Sequence, residues 1–401
     1  LRILIITPRI PYPPYRGDKL KIFNLSKVLV KNNEVRIITF YQNNKDKIYA
    51  RAIEELGIKI DLIPLKLYKS LFQTFLAFFK SIPFQVAWYK SSEMYKKINL
   101  LTNKEKYDVI YYHLIRTAQY LSPQNNNAHL NIIDFTDAVS LYLSRMFEQE
   151  KNFFKKQFIK SELKRINNYE RIAEKFDVLF ICSEIDKKFL IDKGMKQDIQ
   201  ILNNGIDTDY FFSEQKDYDR KRIIFTGNMP YYANADAAFY FAKKILPLII
   251  KKDPEVKFYI VGQQPSISTK QLASDNIFVT GYVNDIKAEY LKSAVNVAPM
   301  RFGAGTLNKV LESIALGVPV VATSISILGL PKELTKFVFI ADTPAQFANT
   351  VLEIINNTSI RSGLMNEGKN VIKNMLSWDI IVGNFEKFLV EKLEQKELKN
   401  P

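Results

Sequence analysis

Three quarters of the way along the chain, one block gathers the residue types that handle anions. Arg301-Phe-Gly-Ala-Gly-Thr-Leu-Asn-Lys-Val-Leu-Glu312 runs on into Ser-Ile-Ala-Leu-Gly317-Val-Pro-Val-Val-Ala-Thr323. Gly303 and Gly305 let the backbone come close to a ligand. A helix opening near Thr306 would aim its first unsatisfied N–H groups, and the positive end of its dipole, at that ligand. Lys309, one turn in, and Arg301, on the preceding loop, suit the charge of a diphosphate. A carboxylate cannot serve phosphates, so Glu312 suits the hydroxyls of a ribose diol. The plainer alternative is a glycine turn before an amphipathic helix, with Lys309 and Glu312 a solvated pair. On either reading Lys309 is a surface lysine, whose removal should cost little on folding.

The block is not a dinucleotide fingerprint, because position 308 is Asn and no third glycine follows. The first apolar run is followed only by Gly17, and no Walker A sequence occurs. His113 follows Tyr111-Tyr112 at the end of an apolar run, so it reads either as a core histidine or as a group facing a ligand cleft. Asp134 and Asp137 flank Phe135-Thr136; they suit an acceptor hydroxyl or, more simply, the cap of the next helix. Asp207-Thr-Asp209 has metal-ligand spacing but sits in an Asn-Gly-Ile-Asp turn, which argues for a structural role. With His129 expected at the surface and Cys182 the only cysteine, two histidines leave little for a metal centre, and neither metal nor cofactor is expected.

Positioning these residues requires alternating strands and helices. Apolar runs predict strands over 2–7, 35–41, 58–64, 107–113, 130–135 and 178–182, with helices over 19–31, 48–56 and 152–175. The pattern restarts with strands over 223–226, 256–261, 277–280, 295–299 and 318–322. Helices over 236–250, 285–293 and 307–316 fall between them, and a terminal helix covers 386–397. This is an α/β chain with two Rossmann-like, doubly wound domains whose loops face one interdomain cleft. The expected boundaries are 1–203 for the N-terminal domain and 204–375 for the C-terminal one. Residues 376–401 form a C-terminal helix that packs back on the N-terminal domain.

The 401 residues are 47% hydrophobic and 25% charged, which excludes a disordered or fibrous chain. No apolar run approaches the ~20 residues of a membrane span. The opening Leu-rich run is too short for a signal-peptide core, and a lone cysteine fits a reducing compartment, so the cytoplasm is the expected location. Net charge is +15, of which residues 1–200 carry +13 (34 Lys+Arg against 21 Asp+Glu). Over 68–97, lysines alternate with Leu, Phe, Trp88 and Tyr. That pattern suits either a helix at an anionic membrane surface or a core helix pair with solvated lysines. No nucleic-acid reader motif accompanies the charge, and nucleic acid is not an expected partner.

Taken with Asn203-Asn-Gly-Ile-Asp-Thr-Asp-Tyr-Phe211, Phe225-Thr-Gly-Asn228, Gly281-Tyr-Val283 and the opening Thr7-Pro-Arg-Ile-Pro-Tyr-Pro-Pro-Tyr-Arg-Gly-Asp18, the 301–323 block resembles retaining glycosyltransferase family 4, of GT-B fold. Within it the chain is most similar to sugar transferases of bacterial exopolysaccharide clusters. The resemblance implies a nucleoside-diphosphate sugar held mainly by the second domain. Lys309 and Arg301 would hold the diphosphate, with Gly303, Gly305 and Thr306 offering backbone. Glu312 would take the ribose, and Tyr282 and Val283 the base. Gly227 and Asn228 would line the donor site, while Gly17 and Asp18 would close over the phosphates. His113 would face the transferred sugar. Two departures stand out: Ala304 occupies the place of the family's first glutamate, and Asn228-Met-Pro-Tyr-Tyr replaces its usual Arg/Lys pair. The expected reaction is metal-independent sugar transfer, with retention, to a hydroxyl on a lipid-linked or growing polysaccharide at the inner membrane face. A non-catalytic sugar-nucleotide scaffold and a sugar-nucleotide epimerase are the alternatives.

Overall fold

A computed structural model describes residues 1–122, 128–214, 217–303 and 305–399; Ala304 lies outside the described residues. The chain divides into two compact units. One comprises Leu1–Asn203 and the last segment from Ile381, the other Asn204–Ile380.

The first unit is built on β1 (Arg2–Thr7), β2 (Glu34–Tyr41), β3 (Lys59–Pro64), β4 (Val109–His113), β5 (Leu130–Thr136), β6 (Val178–Ile181) and β7 (Ile199–Ile201). They form one sheet in the order β3-β2-β1-β4-β5-β6-β7, and its neighbours pair in parallel. β4 and β5 are buried along their whole length, as expected for strands covered on both faces by crossover helices. Ile3 to Ile6 pair with Val109 to Tyr112 in β4, which sets the carboxyl ends of β1 and β4, Thr7 and His113, side by side. The three-residue strand β7 was not expected, because its two isoleucines give too short a run to separate from a loop.

The second unit repeats the plan with β8 (Asp219–Thr226), β9 (Lys257–Val261), β10 (Ile277–Gly281), β11 (Ser293–Ala298), β12 (Val320–Ala322) and β13 (Val338–Ile340). The order is β10-β9-β8-β11-β12-β13. In both sheets the strand order reverses beside the first strand, between β1 and β4 and between β8 and β11. Such a reversal leaves a crevice at the carboxyl ends of the two strands.

The helix expected over 236–250 begins earlier, at Tyr232, and passes through a π-turn at Phe241–Ile245. Pro247, which has no N–H to donate, lies just beyond the turn. The final helix is Trp378–Lys399, longer than the expected 386–397. Within the first unit its Phe385 ring lies 5.9 Å from Tyr111 and 5.3 Å from Phe180. Lys392 and Lys396 pair with Asp198 and Asp177 at 2.8 and 2.6 Å.

Candidate functional site

In the second unit the expected anion block lies at the β8/β11 crevice. β11 leads into Arg301, and the helix Asn308–Leu316 follows, with Leu307 at its N-cap and no side-chain cap. Gly305 has φ +71°, a conformation that favours glycine. The turn is held from behind: the Thr306 hydroxyl donates to the Gly329 carbonyl at 2.7 Å. A Cβ on Gly329 would meet the Gly305 carbonyl oxygen at 2.0 Å, whereas one on Gly303 would meet nothing within 4 Å. Gly303 therefore faces open space, and Gly329, absent from the sequence expectations, is the glycine that packing requires.

Lys309 corrects the expectation of a surface lysine. It is only 7% exposed, because the first turn of its helix packs over β8 and sets the ammonium 4.0 Å above the Phe225 ring. Its one polar partner among the described residues is neutral: Nζ donates to Asn234 Oδ1 at 2.8 Å. Asn234 is oriented by its own amide, which donates to the Asn228 carbonyl at 3.0 Å, and Gln263 donates to Asn228 Oδ1 at 3.2 Å. Gly227 leaves the room this requires, since a Cβ there would come within 2.8 Å of the Asn234 side chain. Burial pushes the Lys309 pKa down to about 7, and Glu312 opposes the shift.

Glu312 is half-buried and held from below. The Tyr290 hydroxyl donates to its Oε2 at 2.8 Å. A hydroxyl has one proton to give, so in the 2.6 Å contact between Tyr290 and Thr226 it is Thr226 that donates. Burial raises the Glu312 pKa, and Tyr290 and Lys309 counter it. Asn296 donates to the Lys309 carbonyl at 3.0 Å, so the turn carrying Lys309 and Glu312 is anchored through its backbone as well.

Arg301 is brought to the same crevice but is not free. Its Nε donates to Asp236 Oδ2 at 2.8 Å and Nη2 to Asp236 Oδ1, with Tyr240 beneath the guanidinium at 5.3 Å. Gly281 ends β10 with φ +72° and accepts from the Gly262 N–H at 3.0 Å. Tyr282 beyond it is 49% exposed, and Val283 follows at the same end of the sheet. Asp207 accepts from the Tyr210 N–H at 3.1 Å, a turn-closing role.

The first unit's crevice holds His113. Its ring is 1% exposed; Nδ1 lies 3.0 Å from Thr7 Oγ1, and Nε2 has no hydrogen-bond partner among the described residues. Burial lowers its pKa to about 4, so the ring is neutral at physiological pH. Gly17 opens the helix Gly17–Leu29 with Arg16 at the N-cap. Asp18 takes Arg9 at 2.7 Å and Arg16 at 3.2 Å, and Arg16 and Arg9 outweigh burial to hold its carboxyl far below the usual range.

Asp134 and Asp137 differ from both expectations. Asp134 is fully buried in an ion pair with Lys21 at 2.8 Å; it also accepts from the Tyr111 hydroxyl and, at 2.6 Å, from the Thr136 N–H. Asp186 supplies the carboxylate for Ala138, the N-cap of the next helix, at 3.0 Å. That partner lies 48 positions away in sequence, beyond local pattern reading. Asp137 accepts from the Cys182 thiol at 3.1 Å, and burial and Asp186 push its pKa up to about 7. Asp137, Cys182 and Asp186 bring possible metal ligands within 4.8 Å, but burial raises the thiol pKa, disfavouring the thiolate a metal needs. His129 is exposed.

Residues 220–357 match the family model described as "Glycosyl transferases group 1". A Klebsiella pneumoniae protein described as an uncharacterized 44.6 kDa protein in cps region is 24% identical over 373 residues, 89% of this chain and 92% of that one. Among solved structures, TarM of S. aureus superimposes with TM-score 0.72 at 12% identity, covering 97% of this chain and 98% of that one. Anabaena HepE, solved in complex with UDP and glucose, gives 0.68 at 12% identity, with 97% and 99% covered. The chain therefore has the GT-B fold, and its second unit carries a group 1 glycosyltransferase domain over residues 220–357.

Proposed function

We propose that the second unit binds a nucleoside-diphosphate sugar through Lys309 and Glu312. The sugar passes to an acceptor hydroxyl on a lipid-linked or growing cell-surface polysaccharide. The observation that carries this reading is the buried Lys309 ammonium, which has a neutral amide for its only hydrogen-bond partner among the described residues. A lysine so desolvated gains most from a ligand that brings negative charge. A diphosphate at the amino end of Asn308–Leu316 would restore its charge and meet the helix dipole. When the bond from the anomeric carbon to the diphosphate oxygen breaks, charge grows on that oxygen. A cation fixed there stabilises the transition state more than the ground state.

In this reading Arg301 and the backbone of Gly303, Gly305 and Thr306 share the phosphate load, and Glu312 takes the ribose. Gly227 and Asn228 act by setting Asn234. Tyr282 and Val283 flank the base, Gly17 and Asp18 shape the phosphate side of the first unit, and neutral His113 lies toward the transferred sugar. Retention and metal independence come with the family resemblance. The polysaccharide acceptor draws support from the relative in a cps region.

The test is a panel of nucleoside-diphosphate sugars scored by thermal shift and by donor hydrolysis in EDTA. One donor should raise the melting temperature and be turned over without metal. A protein that none of the panel stabilises contradicts the donor site, and strict dependence on an added divalent ion contradicts the metal-free reading.

A further inference from the structure

The helix Leu67–Ala77 is turned the opposite way from a core helix. Tyr68, Leu71, Phe72, Phe75 and Phe79 recur at helical spacing, yet they are 66, 60, 58, 58 and 77% exposed. Its inward face is made of small residues, Ser70 and Ala77, at 2 and 1%. A second helix, Phe153–Tyr169, adds Phe153, Phe154 and Phe158 at 66, 81 and 55%.

The two helices are locked together. Buried Phe84 lies between them, 4.7 Å from Phe78 and stacked on Phe158 at 5.5 Å. Arg165 donates to the Phe78 carbonyl at 3.4 Å and lies 4.2 Å over the Phe84 ring. The exposed rings thus belong to one supported face, larger than the scattered apolar residues of an ordinary surface.

Charge identifies what would cover that face. Residues 66–92 contain four lysines and no acidic residue. Residues 151–169 contain six basic residues and one carboxylate, Glu162, which is buried and accepts from the Phe84 and Gln85 N–H groups at 3.0 and 3.4 Å. Lys66, Lys80, Lys155 and Lys160 are exposed and lie within two positions of these rings in the sequence. A second copy would bring two such basic rims together and repel. An anionic bilayer satisfies both features: acyl chains take the rings and headgroups take the lysines.

We propose that this two-helix face docks the protein on an anionic lipid surface, with phenylalanines inserted at the headgroup boundary. The proposal stands independently of the donor chemistry in the second unit.

The full chain is floated with vesicles of phosphatidylcholine alone and with vesicles one third phosphatidylglycerol. Binding is expected to the anionic vesicles only, and it should weaken as salt is raised. The variant Phe72→Ser/Phe75→Ser/Phe79→Ser should lose more than about tenfold in partitioning while melting as the parent does, because these side chains are already exposed. Phe153→Ser/Phe154→Ser, on the other helix, should weaken binding in the same way, and Lys155→Glu/Lys160→Glu should remove the anionic preference. Binding unaffected by both phenylalanine variants overturns the proposal, as does no binding to either vesicle. It also fails if the chain forms a dimer in sedimentation that the triple serine variant dissolves, since the face would then be an interface between copies.

Discussion

Two buried lysines, one in each unit, occupy comparable places and have opposite surroundings. Lys21 lies in the helix that follows β1, and Lys309 in the helix that follows β11; both are within 7% exposure. Lys21 meets a carboxylate, Asp134, which also accepts from Tyr111 and Thr136. Among the described residues Lys309 hydrogen-bonds only the amide oxygen of Asn234, itself held by Asn228. Nature of partner, not depth, separates the two roles. A buried charge closed by a counter-charge is spent on the fold. One with a neutral partner keeps its electrostatic demand for a ligand.

Exchanging each lysine for methionine breaks the comparison most directly. Lys309→Met should lower donor turnover by about 100-fold or more while leaving stability at pH 7 unchanged or raised, because a desolvated ammonium is removed. Lys21→Met should cost about 3–5 kcal/mol of stability, since Asp134 is left buried without its cation. Denaturant melts and turnover measured on both variants check this; a Lys309→Met protein destabilised as much as Lys21→Met would end the distinction.

A smaller effect concerns pH. The Lys309 pKa is lowered from an ordinary 10.5 to about 7 in the folded chain. Between those values the unfolded state binds more protons, so Lys309 makes stability rise with pH from about 7 to 10.5, and that gain is lost as pH falls from 10.5 to about 7. Lys309→Met should flatten this slope. Donor binding at pH 8 should take up a proton, seen by calorimetry as a binding heat that depends on the buffer's ionisation enthalpy. A heat independent of buffer would mean that the diphosphate does not reach Lys309.

The smallest effect sharpens the role of the neutral partner. Gly227→Ala pushes on the Asn234 side chain and should weaken donor affinity about tenfold with little change in melting, a positioning effect of roughly 1.4 kcal/mol. Unchanged affinity in a titration would show that Lys309 needs no fixed partner.

Much of this was readable from residue order. Continuous Ile/Val/Leu runs marked the buried parallel strands, and the Gly-x-Gly-Thr block marked the turn that faces open space at Gly303. Burial of Lys309 was not readable. Its partner Asn234 lies 75 positions away, and the Tyr290 that orients Glu312 lies 22 away. Gly262 and Gly329 look like ordinary loop glycines, yet a Cβ at either would strike backbone, at 1.7 and 2.0 Å. Over 67–79 the helical period was plain, but period reveals that a helix has an apolar face and not whether protein covers it.

Local order alone thus determined the alternation of strands and helices, the two wound units and the residue types available to an anion, because propensity and periodicity act over a few neighbouring positions. Only the tertiary structure decided which lysine is closed by a carboxylate, which carboxylate is held by a tyrosine and which apolar helix face is left to solvent. Those outcomes depend on desolvation and on partners tens of residues apart, and no local pattern encodes them.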